Sequence, residues 1–302
     1  MLEGHTNHVE AIAFHPDGRR LVSGGADKSV KVWDCVSCKC LATYTGHAKA
    51  IRCVAVSALG DLAASGDTGG AVKVWDLATG KLRWDIAAHD RHVKSVAFHP
   101  KGDLLASASL IDDNIRLWDL KNGKLAKTLR GHKGGVTTVL FHPSGDRLAS
   151  ASKDKAIGLW EHVSGKRLDS LTGHENNLWG LAFHPDGRTL VSASSDSVRM
   201  QDLKSGRTER LCGSDEGEPG VMALHPSGAL VATGDADIPE GIQLWDTKKK
   251  YKVATIAGKS ERLFQIAFPP SGKVVASCGK GKAIHLQALP EAALAVIRAV
   301  KR

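Results

Sequence analysis

The sequence predicts an all-β fold, a seven-bladed β-propeller made of four-stranded antiparallel blades, and three observations lead to that prediction. Imperfect copies of the segment LVSGGADKSVKVWD, residues 21–34, recur along the whole chain. The Trp-Asp ends of the copies, or the residues that replace them, follow one another at steps of 42, 43, 42, 41, 44 and 42 residues. A Gly-His pair opens most copies. A period of about 40 to 45 residues with these two marks is typical of a propeller blade.

Each copy contains four predicted strands, which follow in chain order. An apolar run such as Val9 to Phe14 predicts an inner strand that is covered on both faces. A His-Pro-x-Gly turn follows in five copies, where proline fixes φ and glycine closes a type I turn. Residues 21–23 then predict a second strand and residues 30–34 a third. A glycine-bearing hairpin such as Thr79-Gly80 leads into the fourth, outer strand.

Length and composition fit one domain over residues 1–302, although a start directly before the first Gly-His pair also fits a domain excised from a longer chain. Apolar residues make up 42% and charged residues 24%, as in ordinary globular domains. Neither a long apolar run nor a basic leader occurs, so we expect no membrane span, no signal peptide and a cytoplasmic location. Six cysteines without framework spacing are consistent with a reducing compartment.

His, Ser, Asp and Trp recur at matched offsets, and in this the chain resembles the WD-repeat β-propeller family over essentially its whole length. The resemblance implies a hydrogen-bonded tetrad that braces each blade. A buried indole N–H needs an acceptor, a hydroxyl can relay to an imidazole, and an acidic residue fixes the tautomer of that imidazole. The implied complete tetrads are His5, Ser23, Asp27 and Trp33 in the first blade, His89, Ser107, Asp112 and Trp118 in the third, and His132, Ser150, Asp154 and Trp160 in the fourth.

The other four blades depart from the tetrad pattern. In the second blade Gly69 stands at the acidic position, and in the fifth Gln201 replaces the tryptophan. The sixth lacks the Gly-His pair but keeps Thr233 and Asp237, and the seventh keeps only Ser277. A wholly apolar substitute for a hydrogen-bonded set need not be costly, so these blades could simply pack differently. We nevertheless expect blades five to seven to be looser.

The chain ends allow two interpretations of the last blade. Family members usually close the ring by sharing strands between the termini, whereas here Leu294 to Arg298 aligns with the outer-strand segment Leu41 to Thr45. This alignment favours blades that are each built from one contiguous repeat, with an outer strand at the C-terminus. A helix over residues 291–300 is the alternative, because Pro290 and Glu291 suit a first helical turn.

Candidate catalytic and metal-binding residues are few. Ten of the 14 histidines recur at repeat openings or in the Pro-Gly turns, so repeated structure accounts for them. Cys35, Cys38 and Cys40 have no second ligand pair nearby, as a zinc site requires. No phosphate-binding loop, nucleophile elbow or carboxylate pair stands out. We therefore predict no enzymatic activity, no cofactor and no metal.

A propeller without chemistry offers its faces and its channel to a partner. The family resemblance points to the residue after the first apolar residue of each inner strand, on the face that bears the Gly-His loops. We hypothesise that this face binds a peptide or loop of a protein partner through an acidic and an apolar determinant. The candidate residues are Glu10, Arg52, Lys94, Trp179 and Phe264, together with Thr137 and Gly220 at the matching positions and with His92, Lys153 and Arg262 beside them.

Two alternative functions stay open at the level of the sequence. From Lys248 to Arg302 the chain has 12 basic residues and two acidic ones, and Lys248, Lys249 and Lys250 are consecutive. This basic last blade suggests association with RNA or another anionic surface. The chain could also serve as a structural or sensor module of a larger multidomain regulator. In solution we expect a monomer or a subunit of a larger complex.

Overall fold

The computed structural model describes residues 1–213, 220–234, 241–258 and 262–300, and within these ranges the chain forms 28 strands and one helix. The strands of the first four blades are β2 (Val9–Phe14), β3 (Arg20–Gly25), β4 (Val30–Asp34), β5 (Lys39–Tyr44), β6 (Ile51–Val56), β7 (Leu62–Asp67), β8 (Ala71–Asp76), β9 (Leu82–Ala87), β10 (Val93–Phe98), β11 (Leu104–Ser109), β12 (Ile115–Asp119), β13 (Lys124–Leu129), β14 (Val136–Phe141), β15 (Leu148–Ser152), β16 (Ile157–Trp160) and β17 (Arg167–Leu171). The other elements are β1 (Leu2–Glu3), β18 (Leu178–Phe183), β19 (Thr189–Ser194), β20 (Ser197–Asp202), β21 (Thr208–Gly213), β22 (Val221–Leu224), β23 (Leu230–Gly234), β24 (Ile242–Asp246), β25 (Lys252–Ile256), β26 (Leu263–Ala267), β27 (Val274–Gly279), β28 (Ala283–Ala288) and α1 (Glu291–Val300).

The strands pair into seven four-stranded antiparallel sheets, which confirms the predicted seven-bladed propeller. Blade 1 has the order β2-β3-β4-β5, and blades 2 to 6 repeat it with the next strands along the chain. The inner strands β2, β6, β10, β14, β18, β22 and β26 each contact the next, and β26 contacts β2. The ring is therefore closed around a central channel, which leaves only the short outer strands as edges.

Blade 7 is completed by the N-terminus, so the expectation of one contiguous repeat per blade is wrong. Its order is β26-β27-β28-β1, and β1 pairs antiparallel with β28 through Leu2 opposite Ile284 and Glu3 opposite Ala283. Leu2 is fully buried and packs in one cluster with Trp33 and Ile284. Burial of an apolar side chain of this size contributes about 1.5–3 kcal/mol, which helps hold the two chain ends together.

The C-terminal segment forms the helix α1, so the prediction of an outer strand over residues 294–298 is wrong. The strand position is already filled by β1, whereas a helix can bury the apolar residues of this segment elsewhere. Ala293 and Ile297 lie four residues apart in α1 and are buried, together with Leu289 just before the helix, in a cluster with strands of blade 6. Helical periodicity of apolar residues places them on one face.

The apolar core lies between neighbouring blades. One cluster joins Val22 and Val32 of blade 1 to Ile51 and Trp75 of blade 2, and similar clusters link the following blades. The second strands are buried on both faces, as in β7, where all six residues are buried. Small side chains dominate these strands because the sheets pack closely there.

Histidines of the His-Pro-x-Gly turns link neighbouring blades on the face opposite the Gly-His loops. Nε2 of His15 donates to the carbonyl of Gly60 in blade 2 at 2.8 Å. Gly60 has φ +74, and a Cβ at this position would lie 2.4 Å from Nε2 of His15, so the contact requires glycine. Equivalent bonds run from His99 to Gly145, from His142 to Gly187 and from His225 to Gly272.

Candidate functional site

The tetrad of blade 1 forms a continuous buried hydrogen-bond chain. The indole N–H of Trp33 donates to Oγ of Ser23 at 2.7 Å, and Nε2 of His5 lies 2.7 Å from the same oxygen. Nδ1 of His5 lies 2.8 Å from a carboxylate oxygen of Asp27. The network assigns a neutral imidazole that donates from Nδ1 and accepts the Ser23 hydroxyl at Nε2.

Burial determines the charge state of the tetrad histidine. Burial lowers the pKa of His5 below its ordinary value, although Asp27 acts in the opposite direction. The pKa of Asp27 is also lowered, because hydrogen bonds from Thr6, Ser29 and His5 outweigh its own burial. The pair is therefore an uncharged imidazole bonded to a carboxylate at neutral pH.

Blade 2 also has a complete tetrad, so the expectation that Gly69 leaves it without an acidic residue is wrong. Asp67, two residues earlier, lies 2.8 Å from Nδ1 of His47, and Ser65 links His47 to Trp75. Asp67 occupies the place of Gly25 in blade 1, where an added Cβ would lie 2.6 Å from Nδ1 of His5. A carboxylate can therefore reach the histidine from either backbone position. The sets of blades 3 and 4 have the same connections as blade 1.

The last three blades keep only parts of the tetrad. His174 of blade 5 bonds Asp196 and Ser192, but Gln201 stands in place of the indole. In blade 6 the indole of Trp245 donates to Thr233 at 2.8 Å, while Asp237 lies outside the described residues. Ser277 of blade 7 is buried. These polar groups brace blades and are too buried to contact a partner.

Backbone bulges direct the candidate partner-binding residues toward the channel. In six inner strands the pairing with the second strand slips by one residue near the first position, as between Val9 and Ala11. The skipped residue is the candidate in every case. A bulge leaves one residue unpaired and changes the direction of its side chain. The residues skipped in this way are Glu10, Arg52, Lys94, Thr137, Trp179 and Phe264.

These residues share one cavity of about 270 Å³ at the end of the channel next to the Gly-His loops. We call this opening the channel mouth. The structure thus brings together all seven candidates that were predicted from matching inner-strand positions. They are Glu10, Arg52, Lys94, Thr137, Trp179, Gly220 and Phe264.

One side of the channel mouth is charged. Arg52 and Glu10 form an ion pair at 2.6 Å between blades 1 and 2, with Glu10 nearly buried and Arg52 partly exposed. Lys94 follows on blade 3. Burial lowers the pKa of Lys94, Arg52 lowers it further, and Glu10 acts in the opposite direction. Among the described residues, Nζ of Lys94 has no hydrogen-bond acceptor and no ion-pair partner.

The other side of the channel mouth is apolar. Trp179 of blade 5 and Phe264 of blade 7 are half-buried, and Met222 of blade 6 lies between their blades and lines the same cavity. The ring of His8 meets Phe264 edge-on, with centroids 6.4 Å apart. Sequence reasoning missed Met222, whose only signal is its place two residues after the Gly220 position.

A polar layer lies just inside the mouth and was also missed. Oε1 of Gln265 accepts from the backbone N–H of Ile12, and the hydroxyl of Thr138 donates to the carbonyl of Trp179. Ser95 bonds the backbone of Val139. Each of these side chains lies next to a bulge residue and links its blade to a neighbour. The linked inner strands hold the mouth residues in fixed positions.

Three further candidates lie outside the cavity. His92 has φ +47 in the connection before β10, and its backbone bonds Thr68 and Leu110. Lys153 is half-buried in the turn between β15 and β16, and Arg262 is exposed before β26. None of the three lines the channel mouth.

Lys248, Lys249 and Lys250 lie in the β24–β25 hairpin of blade 6, at the outer edge of the ring, so their expected place in the last blade is wrong. Lys248 and Lys249 use their backbone N–H groups to bond Asp246. Nζ of Lys250 forms an ion pair with Glu209 at 2.5 Å, which compensates part of the positive charge.

Within the ranges that the structure covers, no three His, Cys, Asp or Glu side chains are grouped so as to hold a metal ion. Cys38 and Cys40 are exposed on the outer hairpin of blade 1, and burial raises the pKa of Cys35 to about 11. No helix in the described part of the chain is long and apolar enough to span a lipid bilayer.

A family model described as WD domain, G-beta repeat matches five successive segments, at residues 1–34, 38–76, 80–119, 123–161 and 165–202. The chain belongs to this WD-repeat family. The five segments end at residue 202, before the blades whose tetrads are least complete.

Short segments of this WD-repeat chain are similar to known proteins. It is 47% identical over 51 residues to the nuclear distribution protein PAC1 of Scheffersomyces stipitis, which is 15% of this chain and 10% of that protein. It is 62% identical over 32 residues to the target of rapamycin complex subunit wat1 of Schizosaccharomyces pombe, 11% of this chain and 10% of that one. A 43-residue segment is 46% identical to the periodic tryptophan protein 2 homolog of Mus musculus, 14% and 5% of the two chains. The matches therefore span a tenth or less of each relative.

Proposed function

We propose that this WD-repeat propeller is a non-enzymatic scaffold that binds a peptide or loop of a partner protein at the channel mouth. The observation that carries the proposal is the convergence of bulge residues from different blades on one cavity, where they present both charged and aromatic side chains. WD-repeat propellers are in general scaffolds without catalytic activity, and this chain belongs to that family.

The geometry of the channel mouth suits recognition by a few strong contacts. Trp179 and Phe264 are large apolar groups on a rigid ring, so binding requires little ordering of the protein. Half-buried aromatic residues of this kind usually provide most of the binding energy at an interface. A segment that inserts one apolar side chain between them gains that energy, and the charged side of the mouth fixes its orientation.

The names of the relatives suggest that this chain acts within a larger protein assembly. One of them is by its name a subunit of the target of rapamycin complex. We propose that this chain likewise acts as a subunit of a larger complex or as a module of a larger regulator, in the cytoplasm. No structural observation favours the RNA alternative over this one, because Lys250 of the basic hairpin is already paired with Glu209.

The test is a comparison of partners recovered by affinity purification. The variant carries Trp179→Ala and Phe264→Ala, and the matched control carries Tyr251→Ala, an exposed aromatic residue on the outer edge of blade 6. We expect proteins retained by the wild type to be lost from the double variant and kept by the control. Loss of each aromatic anchor weakens binding by about 2 kcal/mol or more, roughly 30-fold in Kd.

A single outcome contradicts the proposal directly. If the double variant and the wild type recover the same proteins in the same amounts, the channel mouth is not the binding site.

A further inference from the structure

Lys94 is a half-buried lysine whose amine makes no direct contact with an acidic group among the described residues. Its pKa is lowered mainly by burial, and Nζ has no hydrogen-bond acceptor or ion-pair partner in the part of the chain that the structure describes. Burying a charge without a partner costs free energy. A long aliphatic stem often lets a lysine place its ammonium in open water, but burial lowers the pKa of Lys94, which lines the cavity.

The neighbouring charges show why the partner has to come from outside the chain. Arg52 and Glu10 are the two other charged residues that line the cavity, and they are paired with each other at 2.6 Å. The charged side of the channel mouth therefore has two cations and one carboxylate, an excess of one positive charge. That excess lies on Lys94, because the guanidinium of Arg52 is already engaged.

The type of anion follows from the same contacts. Phosphate groups are best bound by the planar fork of an arginine, which donates two parallel hydrogen bonds. Here Nη1 of Arg52 donates to Glu10, so the charge of Arg52 is already compensated and the uncompensated charge is the single ammonium of Lys94. One unpaired positive charge matches one carboxylate.

We propose that Lys94 is the receptor for a carboxylate of the bound segment, either an Asp or Glu side chain or a C-terminal carboxylate. The inference rests on the proposed function, since it names the chemistry of the segment that the channel mouth takes. Lys94 on blade 3 lies across the channel from blades 6 and 7, which carry Met222 and Phe264. The bound segment therefore places its carboxylate on one side of the mouth and an apolar side chain on the other.

The pairing of Glu10 excludes the opposite preference. A basic segment needs an accessible carboxylate, and Glu10 is nearly buried and paired with Arg52. Moreover, a lysine or arginine of the ligand is repelled by Lys94. The channel mouth thus selects against basic segments as well as for acidic ones.

A peptide-display selection on the complete chain tests the inference. Random linear peptides are selected on wild type, on Lys94→Glu, and on Lys121→Glu, a control that reverses an exposed lysine in the β12–β13 hairpin of the same blade. Only peptides that fail to bind the Trp179→Ala, Phe264→Ala double variant are sequenced, since these bind at the channel mouth. One library displays a free C-terminus and a second library keeps the peptide internal.

We expect the wild type and Lys121→Glu to select peptides with an acidic residue or a free C-terminus near an apolar residue, and Lys94→Glu to lose that preference. Internal peptides with Asp or Glu indicate a side-chain carboxylate, whereas binding confined to the free-end library indicates a C-terminal carboxylate. For a selected peptide, Lys94→Met weakens binding about 10- to 100-fold, as expected for loss of a charge-assisted hydrogen bond, and Lys94→Arg restores most of the affinity.

Two results overturn the inference and are distinguishable from each other. If mouth-binding peptides require neither an acidic residue nor a free C-terminus, or Lys94→Met binds them as tightly as wild type, Lys94 is not a carboxylate receptor while the proposed function stands. If no peptide depends on Trp179 and Phe264, the proposed function fails together with the inference.

Discussion

We predict that Ser23→Ala destabilises the propeller far more than the loss of one hydroxyl group suggests, because this hydroxyl serves two buried partners. It accepts from the indole of Trp33 and donates to Nε2 of His5, both at 2.7 Å. Ser23 and Trp33 are fully buried, and His5 is 4% exposed. The space left by one oxygen atom is too small for a water molecule, so both partners lose their hydrogen bonds.

A matched substitution in blade 5 provides the scale. Among the described residues Ser192 bonds only His174, at 2.8 Å, since Gln201 stands where blades 1 to 4 have tryptophan. Each buried polar group left without a partner costs about 1–3 kcal/mol. Ser23→Ala therefore costs about 2–6 kcal/mol in free energy of unfolding and Ser192→Ala about half of that.

Urea unfolding followed by tryptophan fluorescence measures the difference, provided that both variants keep the wild-type dependence on denaturant. Ser65→Ala in blade 2 serves as a second full-tetrad variant, because Ser65 also links a histidine to an indole. If Ser192→Ala costs as much as Ser23→Ala and Ser65→Ala, the indole bond contributes nothing and the reasoning is refuted.

Three further predictions concern pH, the second blade and the channel mouth. The free energy of unfolding falls as pH drops below 6.5, because the unfolded chain binds protons that the buried imidazoles of the folded chain do not bind. The loss is about 1.4 kcal/mol per pH unit for each such imidazole. A free energy of unfolding that stays constant between pH 7 and 5.5 contradicts this prediction. Burial lowers the pKa of four tetrad histidines, His5, His89, His132 and His174, and of His162 outside the tetrads. Asp67→Asn lowers the free energy of unfolding in urea by about 1–3 kcal/mol, as much as Asp27→Asn does. The reason is that the amide of asparagine cannot accept hydrogen bonds from both His47 and the backbone of Ala71. An unchanged free energy of unfolding contradicts the assignment of Asp67 to the tetrad. Lys94→Met raises the melting temperature and increases the free energy of unfolding by about 0.5–2 kcal/mol, because it removes a half-buried charge that has no partner among the described residues. A loss of stability would show that Lys94 has a structural partner.

The sequence predicted the repeat architecture because each blade is set by local residue patterns. Periodic Trp-Asp pairs, Gly-His pairs and Pro-Gly turns recur every 41 to 44 residues, and the positions of the inner strands follow from them. For the same reason the residues of the channel mouth could be listed in advance. The ring repeats one geometry, so equivalent positions in different blades lie at equivalent places around the channel.

What the sequence could not show depends on contacts between distant residues. Ring closure by Leu2 requires pairing with Ile284, at the other end of the chain, and this pairing removed the strand position expected for residues 294–298. In blade 2 the carboxylate of the tetrad belongs to Asp67, two residues before the position that an alignment of the repeats at fixed offsets assigns to it. Similarly, the sequence shows Arg52 and Lys94 as equivalent cations, and only the contact with Glu10 distinguishes them.

Site-specific photo-crosslinking tests most directly whether the channel mouth binds the partner. A photoreactive phenylalanine derivative replaces Phe264 in one protein and Tyr251, on the outer edge, in another. Both proteins are irradiated with the partner recovered by the wild type, and the crosslinked peptide is identified by mass spectrometry. The binding-site proposal predicts a crosslink from position 264 and none from position 251. A crosslink from position 251 alone would contradict it.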